Sequence, residues 1–156
     1  SILHIAQEIL DETLKYLRAH GNKGKECIVF WSGRLSHKNK AHITSCIYPD
    51  QEATSISADV SLMESAKIHY LLSKRQEFLF AQVHSHPGVA FHSNTDNFHP
   101  ITDKPGFFSI VVPYFCITGL NDFSKCAVFE YKRHGVWRRL DQREIKKRFK
   151  IKRQLK

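Results

Sequence analysis

Val83-His84-Ser85-His86-Pro87-Gly88-Val89-Ala90-Phe91-His92-Ser93-Asn94-Thr95-Asp96 decides how this chain is read. The residues leading into it, from Phe78, are mostly apolar, and strand side chains two apart point to one face. A strand over 78–86 therefore aims the imidazoles of His84 and His86 at a common point. Pro87 breaks the strand, because proline cannot donate to a ladder, and the loop beyond it can return Asp96 to that point. Two neutral nitrogens and one carboxylate oxygen leave a tetrahedral Zn²⁺ one open position, the layout of a catalytic site. A structural zinc would be closed by four protein ligands, usually cysteines. The reading is a hydrolytic metal centre with His84, His86 and Asp96 as ligands.

Outward from that stretch, Ile2, Ile5, Ile9, Leu10, Leu14 and Leu17 keep helical spacing, which predicts a first helix stopped by Gly21. Residues 26–33 read as a buried strand, 42–48 as its partner, 49–57 as a polar loop and 58–75 as a second helix. Ser93 reads as the N-cap of a helix that Pro100 keeps short. Further strands are predicted over 107–112, 125–131 and 136–140, the last two forming a hairpin about His134-Gly135. Residues 141–156 read as a basic terminal helix. The fold class is α/β (α+β): one mixed sheet flanked by helices in a single domain. Residues 1–140 form its catalytic body, and 141–156 form a basic helix or tail packed on it.

A chain of 156 residues suits one domain with a real core. No apolar run reaches the ~18 residues of a membrane span, and the N-terminus lacks signal-peptide features. The four cysteines Cys27, Cys46, Cys116 and Cys126 form no Cys-x-x-Cys pair, so reduced packing residues in a cytoplasmic protein are expected. The net charge of +9 is uneven: residues 132–156 carry twelve Lys or Arg against Asp141 and Glu144. That concentration raises nucleic-acid binding as one reading of the tail. With only Trp137 and Phe149 as aromatics there is little stacking platform, and a solvated amphipathic helix is the preferred reading.

His-x-His alone is shared by many metal enzymes. A His-x-His-x-Asp-His pattern fails here at Gly88 and Val89, and the chain is too short for a (β/α)₈ barrel. His-x-His-Pro followed by Ser93-x-x-Asp96, with Glu26 seven residues before Gly33, resembles the JAMM motif of the JAB1/MPN family of zinc-dependent isopeptidases. The order of elements up to about residue 112 is similar to that family too. One departure is a spacing of six residues, in place of seven, between His86 and Ser93.

The resemblance implies an MPN/JAB-like domain holding Zn²⁺ on His84, His86 and Asp96, with a water as fourth ligand. It implies Glu26 as the general base that takes the water's proton and passes it to the departing amine. It implies Ser93 as donor to the developing oxyanion, although the same hydroxyl could cap the short helix instead. His92 and His99 flank the loop and read as exposed; Trp31, an odd number of residues from Glu26 along one strand, reads as core.

The family cleaves after the C-terminal tail of ubiquitin or ubiquitin-like proteins, so such a protein and its conjugates are the implied partners. E1/E2-like conjugation enzymes are implied in the same pathway. The tail would add as a strand beside a sheet edge, in a groove formed by 49–57 or by 97–106. Two alternatives remain open: a same-fold zinc peptidase trimming sulfur-carrier or other small-protein tails, and a non-catalytic binding module with a nucleic-acid-binding tail. No membrane association is expected.

Overall fold

Two strands, β2 (Ile28–Ser36) and β4 (Phe78–Ser85), pair antiparallel at the centre of an eight-stranded mixed sheet. The computed structural model describes residues 1–50, 60–90, 101–120 and 123–153. On one side of the central pair lie β3 (Lys40–Ile47), β1 (Ile2–Ala6) and β8 (Phe149–Lys152). On the other lie β5 (Phe108–Val112), β6 (Ala127–Arg133) and β7 (Val136–Arg139), giving the order β7-β6-β5-β4-β2-β3-β1-β8. The β6–β7 turn has positive φ at His134 (48°) and Gly135 (75°), which suits the twist of a tight hairpin.

The predicted strand at 26–33 is buried from Ile28 to Gly33 because both faces of the sheet are covered. On one face, α1 (Gln7–Gly21) and α3 (Gln142–Arg148) bring Ile9, Leu10, Leu17 and Ile145 onto Val29, Trp31, Val83 and Ile110. Trp31 is core as expected, and its indole N–H donates to Thr13 Oγ1 at 2.9 Å. On the other face, α2 (Leu62–Arg75) packs Ile68 and Leu72 against Ile28, Phe30, Phe107 and Tyr131. Gly33 sits at a bulge between β2 and β3, where a Cβ would lie 2.0 Å from the carbonyl oxygen of His42. Only glycine lets the two backbones approach this closely.

Several strand ends shift by one to three residues from the sequence reading, β2 to 28–36 and β6 to 127–133 among them, and three further differences are larger. Residues 2–6, assigned to the first helix, form β1, paired in parallel with both β3 and β8. Leu3 and Ile5 are fully buried there, a period of two that the helical count over Ile2, Ile5 and Ile9 obscured. The terminal helix ends at Arg148, and Phe149–Lys152 continues as a strand whose pairing with β1 supplies what local propensity does not. The second helix starts at Leu62, not 58, with Ser61 as N-cap accepting from the Glu64 N–H at 3.1 Å.

The sheet curls so that its edges approach. The ring of Phe149 on β8 lies 4.8 Å from that of Phe108 on β5. Arg148 donates to Glu130 of β6 at 2.6 Å and to the Ser1 carbonyl at 2.8 Å. Residues 141–153 are thus built into the sheet and its core.

Candidate metal centre

The β2–β4 register assembles the site. Ile28 stands opposite His84, and continuing the same antiparallel register by two residues sets Glu26 across from His86. The Ser85 N–H donates to the Cys27 carbonyl at 3.1 Å, and the Cys27 N–H donates to Ser85 Oγ at 3.0 Å. Ser85, the middle residue of His-x-His, therefore ties the strands together while its neighbours face the other way. Glu26, His84 and His86 share one face and are buried, and their ligand atoms all lie within 4.8 Å of one another. The two imidazoles meet edge to face, with centroids 4.8 Å apart at 88°.

This donor set fits a metal. Atoms bound at about 2.0–2.2 Å to one zinc lie no more than about 4.4 Å apart. Small side-chain rotations would bring the two imidazoles onto one ion, with the Glu26 carboxylate either as a third ligand or one water away. Among the described residues no other group of three His, Cys, Asp or Glu side chains comes together in this way. Burial pushes the Cys27 thiol up to about 12 and the Cys46 and Cys116 thiols up to about 11, so these three offer no competing nucleophile.

His86 is also fixed through its backbone, a feature the sequence does not announce. Its N–H donates to the Val112 carbonyl at 2.8 Å, and its carbonyl accepts from the Phe115 N–H at 2.7 Å. The Tyr114 N–H reaches the Gly88 carbonyl at 2.9 Å. These donors come from a short 3₁₀ turn, Tyr114–Cys116, with φ of 52°, 49° and 70°, left-handed values that non-glycine residues adopt at a cost. From α1, Arg18 holds the turn by donating Nε to the Cys116 carbonyl at 3.1 Å and Nη2 to that of Ile117 at 3.2 Å. Gly21 lets the turn close in, since a Cβ there would lie 2.6 Å from Phe115 Cβ. No glycine or asparagine marks 114–116, so residue type gave no cue.

Beside the His86 turn opens a cleft of about 320 Å³, lined by Val89, Ala90, Tyr114, Thr118, Lys125 and Arg139 among others. Asp96, Ser93, His92 and His99 lie outside the described residues, as do most of the 49–57 loop and part of 97–106. All four cysteines are free. No helix among the described residues is long and apolar enough to cross a membrane.

No protein-family model matches the chain. A probable metalloprotease, y4jG of Sinorhizobium fredii (strain NBRC 101917 / NGR234), is 33% identical over 126 residues, 78% of this chain and 76% of that protein. Among solved structures, the chain is similar to protein DSY2949 from Desulfitobacterium hafniense, with a TM-score of 0.66 at 13% identity over 99% of this chain and 95% of the other. It is also similar to AF2198, a JAB1/MPN domain protein from Archaeoglobus fulgidus, with a TM-score of 0.50 at 17% identity over 97% and 98%. The metalloprotease relative, the JAB1/MPN fold and the Glu-His-His cluster agree, and the chain belongs to the JAB1/MPN family as a JAMM-type metallopeptidase.

Proposed function

We propose that this metallopeptidase uses Zn²⁺ held by His84, His86 and Asp96 to cleave the bond after the C-terminal tail of a ubiquitin-like protein, including isopeptide bonds to lysine. The observation that carries the reading is the buried convergence of Glu26, His84 and His86 on one face of the β2–β4 pair. When bound, zinc supplies Lewis acidity, lowering the pKa of a water towards about 7 and polarising a carbonyl. Glu26 enters from the segment leading into β2, two residues before Ile28, where its carboxylate can take a proton from the attacking water and deliver it to the departing amine. Ser93 is assigned the hydrogen bond to the developing oxyanion. The Arg18-held turn keeps His86 from drifting, and burial of the cluster excludes bulk water. Four free cysteines suit a reducing cytoplasm.

Elemental analysis and turnover on matched variants test this. Glu26→Gln should keep about one zinc per chain and lose roughly 10²–10⁴-fold in turnover. Asp96→Ala should lose metal and activity together. Zinc lost from Glu26→Gln would reassign Glu26 as a ligand. On a panel of Gly-Gly-tailed fusions and lysine-linked conjugates, cleavage confined to linear tails would sink the isopeptidase reading and favour a trimming peptidase.

A further inference from the structure

The outer surface of β2, β3, β1 and β8 carries a row of basic side chains that the metal centre does not use. Cross-strand partners share a face, and the register sets Arg34 opposite His42, His42 opposite His4, and His4 opposite Lys150. Lys40 and Lys152 flank the row, opposite Ile2 and Ala6. The alternate residues Leu3, Ile5, Ala41, Ile43 and Phe149 point the other way, into the core under α1 and α3. Arg34, Lys40, His42, Lys150 and Lys152 are exposed, and His4 is half-buried among them.

The His4 and His42 rings stack, with centroids 5.1 Å apart at 25°. The ends of the row are anchored: Arg34 donates to the Arg75 carbonyl at 3.4 Å, and Lys150 donates to the Lys146 carbonyl at 2.9 Å. Glu77, which joins β2 and β3 through Ser32 and Thr44, is buried and bonded to those hydroxyls rather than to a cation of the row. Burial first, then His42, Lys40, Lys152 and Lys150, holds the His4 imidazole below its ordinary value. An anion laid over the row would reverse that second effect and favour protonation.

From Arg34 to Lys150 the row crosses three strand spacings, about 14 Å. One nucleic-acid strand carries a charge every ~3.4 Å of helix axis, so the row spans about four phosphates. Basic side chains on four successive strands, with no carboxylate between them among the described residues, match a regular polyanion better than an acidic protein surface. No Phe, Tyr or Trp belongs to the row, which points to backbone contacts without base recognition. Arg34 lies eight residues along β2 from Glu26, about 26 Å at strand rise, so the row is separate from the metal centre.

We propose that the face formed by Arg34, Lys40, His42, His4, Lys150 and Lys152 binds the phosphodiester backbone of nucleic acid without sequence preference. The test is fluorescence anisotropy of the full chain with labelled oligo-dT of about 20 nucleotides across a salt series. Replacing Lys40 and Lys152 together by Gln should weaken binding by about tenfold or more near 0.1 M salt. The same change should lower the log–log salt slope by about 1.5. Lys146→Gln with Lys147→Gln, the same charge removed from exposed positions of α3, should change affinity by less than about twofold. Binding should tighten as pH falls below the ordinary imidazole value of about 6.5, and His4→Gln should flatten that dependence. Equal loss in both lysine pairs would overturn the localised site. Preference for poly-glutamate over oligo-dT would overturn the nucleic-acid assignment in favour of an acidic protein, and binding to neither would remove the surface from consideration.

Discussion

Two pairs of histidines sit on this sheet, and their neighbours give them opposite chemistry. His84 and His86, at the end of the central strand β4, meet edge to face beside the carboxylate of Glu26, all three buried. His4 and His42, on β1 and β3 near the edge, stack face to face among Lys40, Lys150 and Lys152. A carboxylate beside two imidazoles favours a cation between them; lysines beside two imidazoles favour an anion over them. An imidazole pair is thus a blank whose function is written by the charge of the strand next to it.

The largest effect is expected where the edge is joined to the body. Phe149 opens β8 and packs its ring against Phe108 and Phe123, with centroids 4.8 and 5.3 Å away. Phe149→Ala should cost about 3–5 kcal/mol through lost burial and a cavity. Thermal unfolding should show it as a fall in Tm of roughly 10 °C. In molecules that remain folded, metal affinity should be unchanged, because the central pair does not depend on β8. A drop in metal affinity matching the loss of stability would mean that centre and edge are one cooperative unit, and would break the comparison.

The same contrast explains what the sequence made legible. The central strands are apolar runs buried on both faces, so their burial and direction are written locally. His84 and His86 could be placed from strand alternation because β4 leads into them, whereas Glu26, two residues before β2, is picked out by its resemblance to the family motif. The edge strands are not self-evident. Residues 2–6 continue into a true helix, and Phe149–Lys152 follows one, so a helical count runs through both; only their pairing with each other and with β3 makes them strands. The turn at Tyr114–Cys116 was illegible for a different reason. Its left-handed backbone is imposed by hydrogen bonds from Arg18, nearly a hundred residues away, on residue types that do not seek it. A further motif outside the family set, the pleat that places Arg34, His42, His4 and Lys150 side by side, exists only in the register.

Arg18 sharpens the comparison from the other side, since it acts on the centre without touching the cluster. Removing its guanidinium frees the carbonyls of Cys116 and Ile117 and lets the turn that holds the His86 carbonyl relax. Arg18→Ala should lower metal affinity about tenfold, in the range seen for residues that orient ligands from outside the coordination shell. Competition with a chromophoric chelator would measure it. Arg18→Lys, which can satisfy one carbonyl but not both, should recover part of the loss. Equal affinity in all three proteins would confine Arg18 to packing.

The smallest effect concerns the charge that holds the curled edges together. Burial alone would raise the Glu130 carboxyl, but hydrogen bonds from Arg148 and Lys132 and the charges of both outweigh it and hold it at about 2, below its ordinary 4.5. A carboxyl depressed by folding stabilises fully above its unfolded value, and that contribution is lost as pH falls through the folded one. The advantage of wild type over Glu130→Gln should therefore be constant above about pH 5 and vanish towards about pH 2. It should stay under about 2 kcal/mol, because Lys132 and Arg138 are half exposed and solvent screens them. Urea unfolding at a series of pH values reads this directly. Because Arg148 also holds the Ser1 carbonyl at the start of β1, acid should loosen the β1–β8 edge while the neutral packing around β2 and β4 persists. Amide exchange at low pH that is as fast in β4 as in β1 would show that the two regions open together.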